Sequence, residues 1–183
     1  MKAERLIYIV ILFATFLWCL LIVLPPILSH WGGADCFYSA FIYLGFSRIC
    51  HQIDARSFHL FGEKFAVCSR CTGIYFGFLL GLLILPFLRK VDDMNLPPRG
   101  ILLIALVPMF LDFGCDALSI YQNTLISRSI TGLLLGIVLV FFITPSAISA
   151  VRELLSKSSK SYKPLNNGGL NNADSTSRYA AAK

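Results

Sequence analysis

Long uncharged apolar runs alternate with short polar breaks along this chain. Leu6 to Leu28 carries no charge over 23 residues, Cys71 to Leu88 none over 18, and Ser129 to Val151 none over 23. Gly100 to about Leu118 is apolar apart from Asp112 and Asp116. A membrane-crossing helix needs about 20 apolar residues, so the pattern predicts four spans. Cys36 to Ser47 offers only twelve uncharged residues, a length that predicts a re-entrant or interfacial helix. The predicted fold class is an all-α, polytopic membrane protein of four transmembrane helices plus this short one.

The first run exceeds the about 7–15 residues of a signal-peptide core, and no small-residue cleavage site follows it. It predicts a retained span, kinked or ended by Pro25-Pro26. From Ser156 the composition turns to Ser, Asn and Gly with no apolar repeat. The expected organisation is one integral-membrane domain over 1–155 and a disordered polar tail over 156–183.

Composition agrees with the pattern. Hydrophobic residues make up 56% and charged residues 14%, where a soluble domain carries about a quarter charged. The net charge of +6 is dispersed. No basic block interleaves with aromatics, which excludes a nucleic-acid partner. The charge is better read as topology: with the amino terminus inside, eleven Lys and Arg fall on the inner side and five on the outer. By the positive-inside rule the amino terminus and tail are expected in the cytoplasm, in a plasma or inner membrane. The polar stretch from Arg48 to Cys71 then faces out, and membrane lipid is the first expected partner.

That stretch is chemically dense. It holds three cysteines, two histidines, three arginines, a lysine and two acids in 24 residues. Cys68-Ser-Arg-Cys71 is a C-x-x-C directly before an apolar helix. Thiolates at this spacing chelate a tetrahedral ion, and structural zinc normally takes four Cys or His ligands. Cys50, His51, Cys68 and Cys71 are the candidate metal ligands, for zinc or iron. Thiol exchange is the other chemistry: a helix N-terminus and the intervening Arg70 favour thiolates. A structural disulfide and inert packing stay open beside these. His59, Asp54 and Glu63 read as solvated loop residues.

Rise per residue brings further groups to the same level. Counting from Gly100 at about 1.5 Å per residue, Asp112 lies about 18 Å along the third span, past the midplane of a core about 30 Å thick. Asp116 follows one turn later on the same face. Asn123 sits in the linking turn and Arg128 opens the fourth span. Charges inside a span usually face a cavity or a partner. Arg56, Arg70, Tyr75, Asp112, Asp116, Asn123 and Arg128 are therefore the candidate pocket residues around the cysteines. The competing reading is an Asp–Arg structural pair beside a solvated loop. Gly73, Gly77 and Gly81 on the second span, with Gly132 and Gly136 on the fourth, form small-residue stripes for close helix packing.

The same residues carry a family resemblance. "CHQ" at 50–52, "RSF" at 56–58 and "CSRCTGIYFG" at 68–77 resemble an uncharacterised integral-membrane family, domain-of-unknown-function family 2085. Its second block is similar to Pro108 through Asp112, Asn123, Arg128 and Thr131-Gly132 to Gly136. Where the family pattern has Asp-Gly, this chain has Asp112-Phe113-Gly114. The resemblance covers about 48–140 and implies a membrane protein without implying an activity.

Three functional classes follow from the residues. The leading one is a membrane metalloprotein in which Asp112 and Arg128 orient a lipid or small-molecule ligand. The second is a membrane thiol–disulfide oxidoreductase cycling Cys68 and Cys71. The third is a small transporter or assembly subunit, which at this length requires a homo-oligomer. No nucleophile–base pair marks the chain as an enzyme.

Overall fold

The computed structural model describes residues 2–32, 37–89, 93, 95–120 and 122–161. It contains helices α1 (Lys2–Gly32), α2 (Phe37–Ser47), α3 (Ser69–Leu88), α4 (Arg99–Ala117) and α5 (Leu125–Ser161), with strands β1 (Ser57–Leu60) and β2 (Glu63–Cys68) between α2 and α3. Four helices are long and apolar enough to cross a membrane: Glu4–Gly32, Ser69–Leu88, Arg99–Ala117 and Leu125–Leu155. The protein is thus a four-span, predominantly helical membrane protein. Its exposed residues are accordingly apolar, among them Phe13, Leu83, Ile104 and Ile130, because lipid tails solvate them as well as a protein core would.

The described chain divides into two units, one up to Ala150 and one from Val151. In the second unit, residues 151–161 are the helical end of α5, with a Glu153–Lys157 ion pair at 2.6 Å one turn apart. Helix therefore continues six residues beyond the point where composition turns polar. A solvated helix needs no apolar face when i, i+4 pairs support it. The remainder of the expected tail, 162–183, lies outside the described residues, as does Cys36 of the short segment.

α1 does not end at its two prolines. Pro25 and Pro26 lie inside the helix, which continues to Gly32. Both are fully buried. The Pro25 carbonyl accepts a hydrogen bond from the Ser39 hydroxyl of α2 at 3.3 Å, and Ser29 donates to the same hydroxyl at 2.8 Å. The 11-residue α2 thus returns along the end of α1.

An all-α reading misses one element. The polar stretch folds as an antiparallel hairpin, with Leu60 opposite Glu63 and His59 opposite Lys64. Phe61 (φ 55°) and Gly62 (φ 85°) form its two-residue turn. Positive φ at both positions is the primed geometry that matches strand twist. The Phe61 ring stacks on His30 of α1 at 4.3 Å between centroids, tying the turn to the end of the first span. Further along, Ser57 pairs with Cys68 across a register shift, so β2 carries extra residues there and bends as it enters α3.

α3 and α5 meet backbone to backbone. A Cβ on Gly73 would strike the Ser129 carbonyl oxygen, and one on Gly77 the Leu133 carbonyl. Reciprocally, Gly132 lies against the Arg70 carbonyl and Gly136 against that of Ile74. Gly81 faces Val140 and Ile137. Ser129 Oγ donates to the Ser69 carbonyl at 3.1 Å, at the start of α3. The stripes thus fix the first turns of α3 and α5 side by side.

Candidate functional site

Cys50 follows α2, Cys68 ends β2 and Cys71 lies in the first turn of α3. Their Sγ atoms lie within 4.8 Å of one another. Two features of the local chain enforce this. The Cys68 backbone, extended at the N-cap of α3, donates its N–H to Cys50 Sγ at 3.2 Å. Gln52, at φ 50°, turns the chain back after Cys50. Its amide donates to the carbonyls of Tyr43 and Ala66 at 2.8 Å each, while Lys64 Nζ donates to its carbonyl at 3.0 Å. Gln52 therefore clamps the loop between α2 and β2.

Behind the sulfurs is a small apolar core of Ile22, Phe46, Ala66 and Val67, with Cys50 among them. Trp18 lies over it, edge-on to Phe46 at 5.0 Å and to Tyr75 at 6.0 Å. Tyr75 thus packs behind the cysteines. Hydrogen bonds from the Cys68 and Cys71 thiols, and from the Cys68 and Gln52 backbone N–H groups, hold the Cys50 thiol well below its ordinary range despite its burial. All five described cysteines are free thiols.

In front of the sulfurs is a cavity of about 230 Å³. Cys50, Cys68, Cys71, Arg56, Arg70 and Arg128 all line it. His51 lines it too, but is exposed and stands outside the sulfur cluster. Of the four candidate ligands, three converge and the histidine does not.

The acids of α4 meet these arginines. Arg70 donates to Asp112 Oδ2 at 2.6 Å, with side-chain exposures of 19% and 9%. Arg128 donates to Asp116 Oδ2 at 2.8 Å, and Arg56 approaches the same oxygen at 3.8 Å. Two acids one turn apart repel unless cations neutralise them, and here each has its own. Asn123 bridges both, its side-chain amide donating to the Asp112 carbonyl at 2.6 Å and its backbone N–H to Asp116 Oδ1 at 3.4 Å. Ser127 Oγ donates to Asp112 Oδ1 at 3.0 Å. Arg70 also lies over the Phe113 ring at 5.8 Å. Cys115, although on α4 beside these acids, stays outside the sulfur cluster.

Sequence reasoning overlooked Gln52, Lys64, Ser69 and Ser127. The first stands in the quoted "CHQ", and its two side-chain hydrogen bonds across sequence gaps explain the polar residue there. The others are single serines and a lysine, residue types that carry no positional signal without a fold.

The comparisons agree on kinship and are silent on activity. A family profile described as "Predicted membrane protein (DUF2085)" matches residues 50–142. An uncharacterised protein of Methanocaldococcus jannaschii is 39% identical over 141 residues, covering 75% of this chain and 90% of the relative. One from Methanothermobacter thermautotrophicus is 32% identical over 99 residues, covering 52% and 85%. No solved structure matches. The matched segment begins at Cys50 and runs through the cysteine cluster, the two acids and the α3–α5 contact: this chain belongs to the membrane-protein family DUF2085.

Proposed function

We propose that this protein is a membrane metalloprotein that holds one divalent ion, zinc or iron, on Cys50, Cys68 and Cys71. The supporting observation is the mutual approach of all three sulfurs to within 4.8 Å. Zinc–sulfur bonds of about 2.3 Å in a tetrahedron put sulfurs about 3.8 Å apart, so a small inward movement suffices. A disulfide would draw two sulfurs to about 2.05 Å and leave the third without a role. Three protein ligands plus an open position is the arrangement of sites that act on a ligand rather than merely brace a fold. The three cysteines that would hold the ion line the same cavity as the arginines.

Charge supports the same reading. Arg56, Arg70 and Arg128 face Asp112 and Asp116, an excess of one positive charge. A divalent ion on three thiolates carries one negative charge and balances it. The expected orientation, from the eleven-to-five distribution of Lys and Arg, puts the site on the outer side with the amino terminus cytoplasmic.

The test is metal content per chain by mass spectrometry on detergent-purified protein, beside a free-thiol count, with Cys68→Ser in parallel. Near-stoichiometric zinc or iron that disappears in the variant is the expected result. No metal, with two thiols masked until reductant is added, overturns it in favour of thiol–disulfide exchange. That second reading draws on the C-x-x-C at the helix N-terminus and the depressed Cys50 thiol.

A further inference from the structure

The cavity in front of the sulfurs is walled by residues with polar atoms that the ion pairs leave unused. Ser69 Oγ, Arg70 Nε and Arg128 Nε are buried without a hydrogen-bond partner among the described residues, and all three residues line this cavity. Ser69 is fully buried and Arg128 only 7% exposed. An unpaired buried donor costs about 1–3 kcal/mol, more if charged, so three on the wall residues of one cavity call for a partner from outside the chain. Asn123 Oδ1 and Thr144 Oγ1 are also unpaired, but those residues do not line the cavity.

The atoms agree in kind. An arginine Nε–H only donates, and a serine hydroxyl is free to donate. A ligand answering all three must present several acceptors close together. One terminal nitrogen of each arginine, Nη2, is already committed to Asp112 or Asp116, which anchors both guanidinium groups. Two helices also open here: α3 begins at Ser69 and α5 at Leu125. Each N-terminus presents roughly half a positive charge. The side chains and a trithiolate-bound divalent ion cancel, so the helix ends leave roughly one positive charge. Ile49, Ile53, Ile74 and Met109 complete the wall.

We infer that this cavity binds a small oxyanion of phosphate-type chemistry, seated between the three thiols and the Ser69, Arg70 and Arg128 donors. This rests on the metal reading only for its charge balance; the donors stand without it. A free inorganic phosphate and the phosphodiester of a lipid headgroup share this chemistry.

The full chain, purified in detergent and loaded with cobalt(II), separates the possibilities. Sulfur-to-cobalt absorption reports thiolate coordination. Inorganic phosphate is titrated in, and separately the protein is moved into phosphatidylglycerol nanodiscs. The expected result is a saturable spectral change whose apparent affinity falls about tenfold or more in Ser69→Ala and Arg128→Lys, with cobalt content unchanged. A response to phosphate identifies a free anion; a response only to phosphatidylglycerol identifies a headgroup. A cobalt spectrum that neither probe alters overturns the inference and leaves the metal reading standing. If no sulfur–cobalt band forms, the metal reading fails, and the melting temperature of the metal-free chain decides. A rise with either probe that Ser69→Ala abolishes upholds the oxyanion site, and no rise overturns it.

Discussion

Arg70 stands between Cys68 and Cys71 in sequence, yet its guanidinium reaches across to α4 and meets Asp112 at 2.6 Å. The residue that separates the thiols thus also docks the charged helix beside them. Breaking such a pair leaves an uncompensated charge, worth about 3–5 kcal/mol when fully buried. Arg70 keeps 19% exposure, so Arg70→Met or Asp112→Leu alone is expected to cost about 2–3 kcal/mol. The double substitution, leaving neither charge, is expected to recover most of that loss in thermal denaturation. Equal destabilisation by the single and double variants would show that the pair does not act as a unit.

The glycine contacts predict a contrast between substitutions of identical chemistry. Gly73→Ala and Gly136→Ala each drive a methyl group into a backbone carbonyl, and overpacking of this kind costs about 1–3 kcal/mol. Gly114→Ala meets nothing within 4 Å and, inside α4, should be neutral or stabilising by up to about 1 kcal/mol. Melting temperatures of the three variants check the ordering.

His51 is expected to be dispensable for the ion. It is exposed and outside the sulfur cluster, so His51→Ala should retain metal near the unmodified level while Cys50→Ser and Cys71→Ser lose it. Metal analysis after desalting decides this, and loss in His51→Ala would make the histidine the fourth ligand.

Zinc uptake should release fewer than three protons per ion. Thiol ligands must deprotonate to bind, but Cys50 is already held well below the ordinary thiol range by its hydrogen bonds from Cys68 and Cys71. The Cys71 thiol, which donates one of those hydrogen bonds, keeps its proton, so affinity rises with pH as the remaining protons leave. Calorimetry in buffers of different ionisation enthalpy counts the protons, and a count of three would contradict the lowered Cys50 thiol.

Orientation is open to direct labelling. Phe61, 59% exposed at the hairpin turn, offers a position for a reporter. A membrane-impermeant maleimide applied to intact cells should label Phe61→Cys in a background whose other cysteines are replaced by serine. Labelling only after permeabilisation would place the hairpin inside.

Much of this was legible in the chain. The four apolar runs have the length a bilayer demands, and glycines repeating every four residues mark a helix contact however the rest folds. The spacing of Asp112 and Asp116 put both on one face. Their partners were not legible: Asp112 takes Arg70 of α3 and Asp116 takes Arg128 of α5, a choice settled by three-dimensional docking. The hairpin was missed because its polar residues read as loop, although Phe61-Gly62 between two short segments that each carry a phenylalanine, Phe58 and Phe65, was a usable turn signal. Of the two outcomes the prolines allowed, a kink or an end, the end does not occur: α1 runs on to Gly32, and the Pro25 carbonyl accepts from the Ser39 hydroxyl of α2.

α4 has no fully buried residue along its length, and its ion pairs at the site come from Asp112 and Asp116, beside Phe113 under Arg70. Its lipid-facing positions, Leu103, Ile104, Val107, Phe110 and Leu111, answer to nothing but solubility in hydrocarbon. Over evolutionary time this helix is therefore expected to drift freely among apolar residues while its two acids stay four apart. Divergent relatives are best recognised by that interval, together with the arginines that answer it.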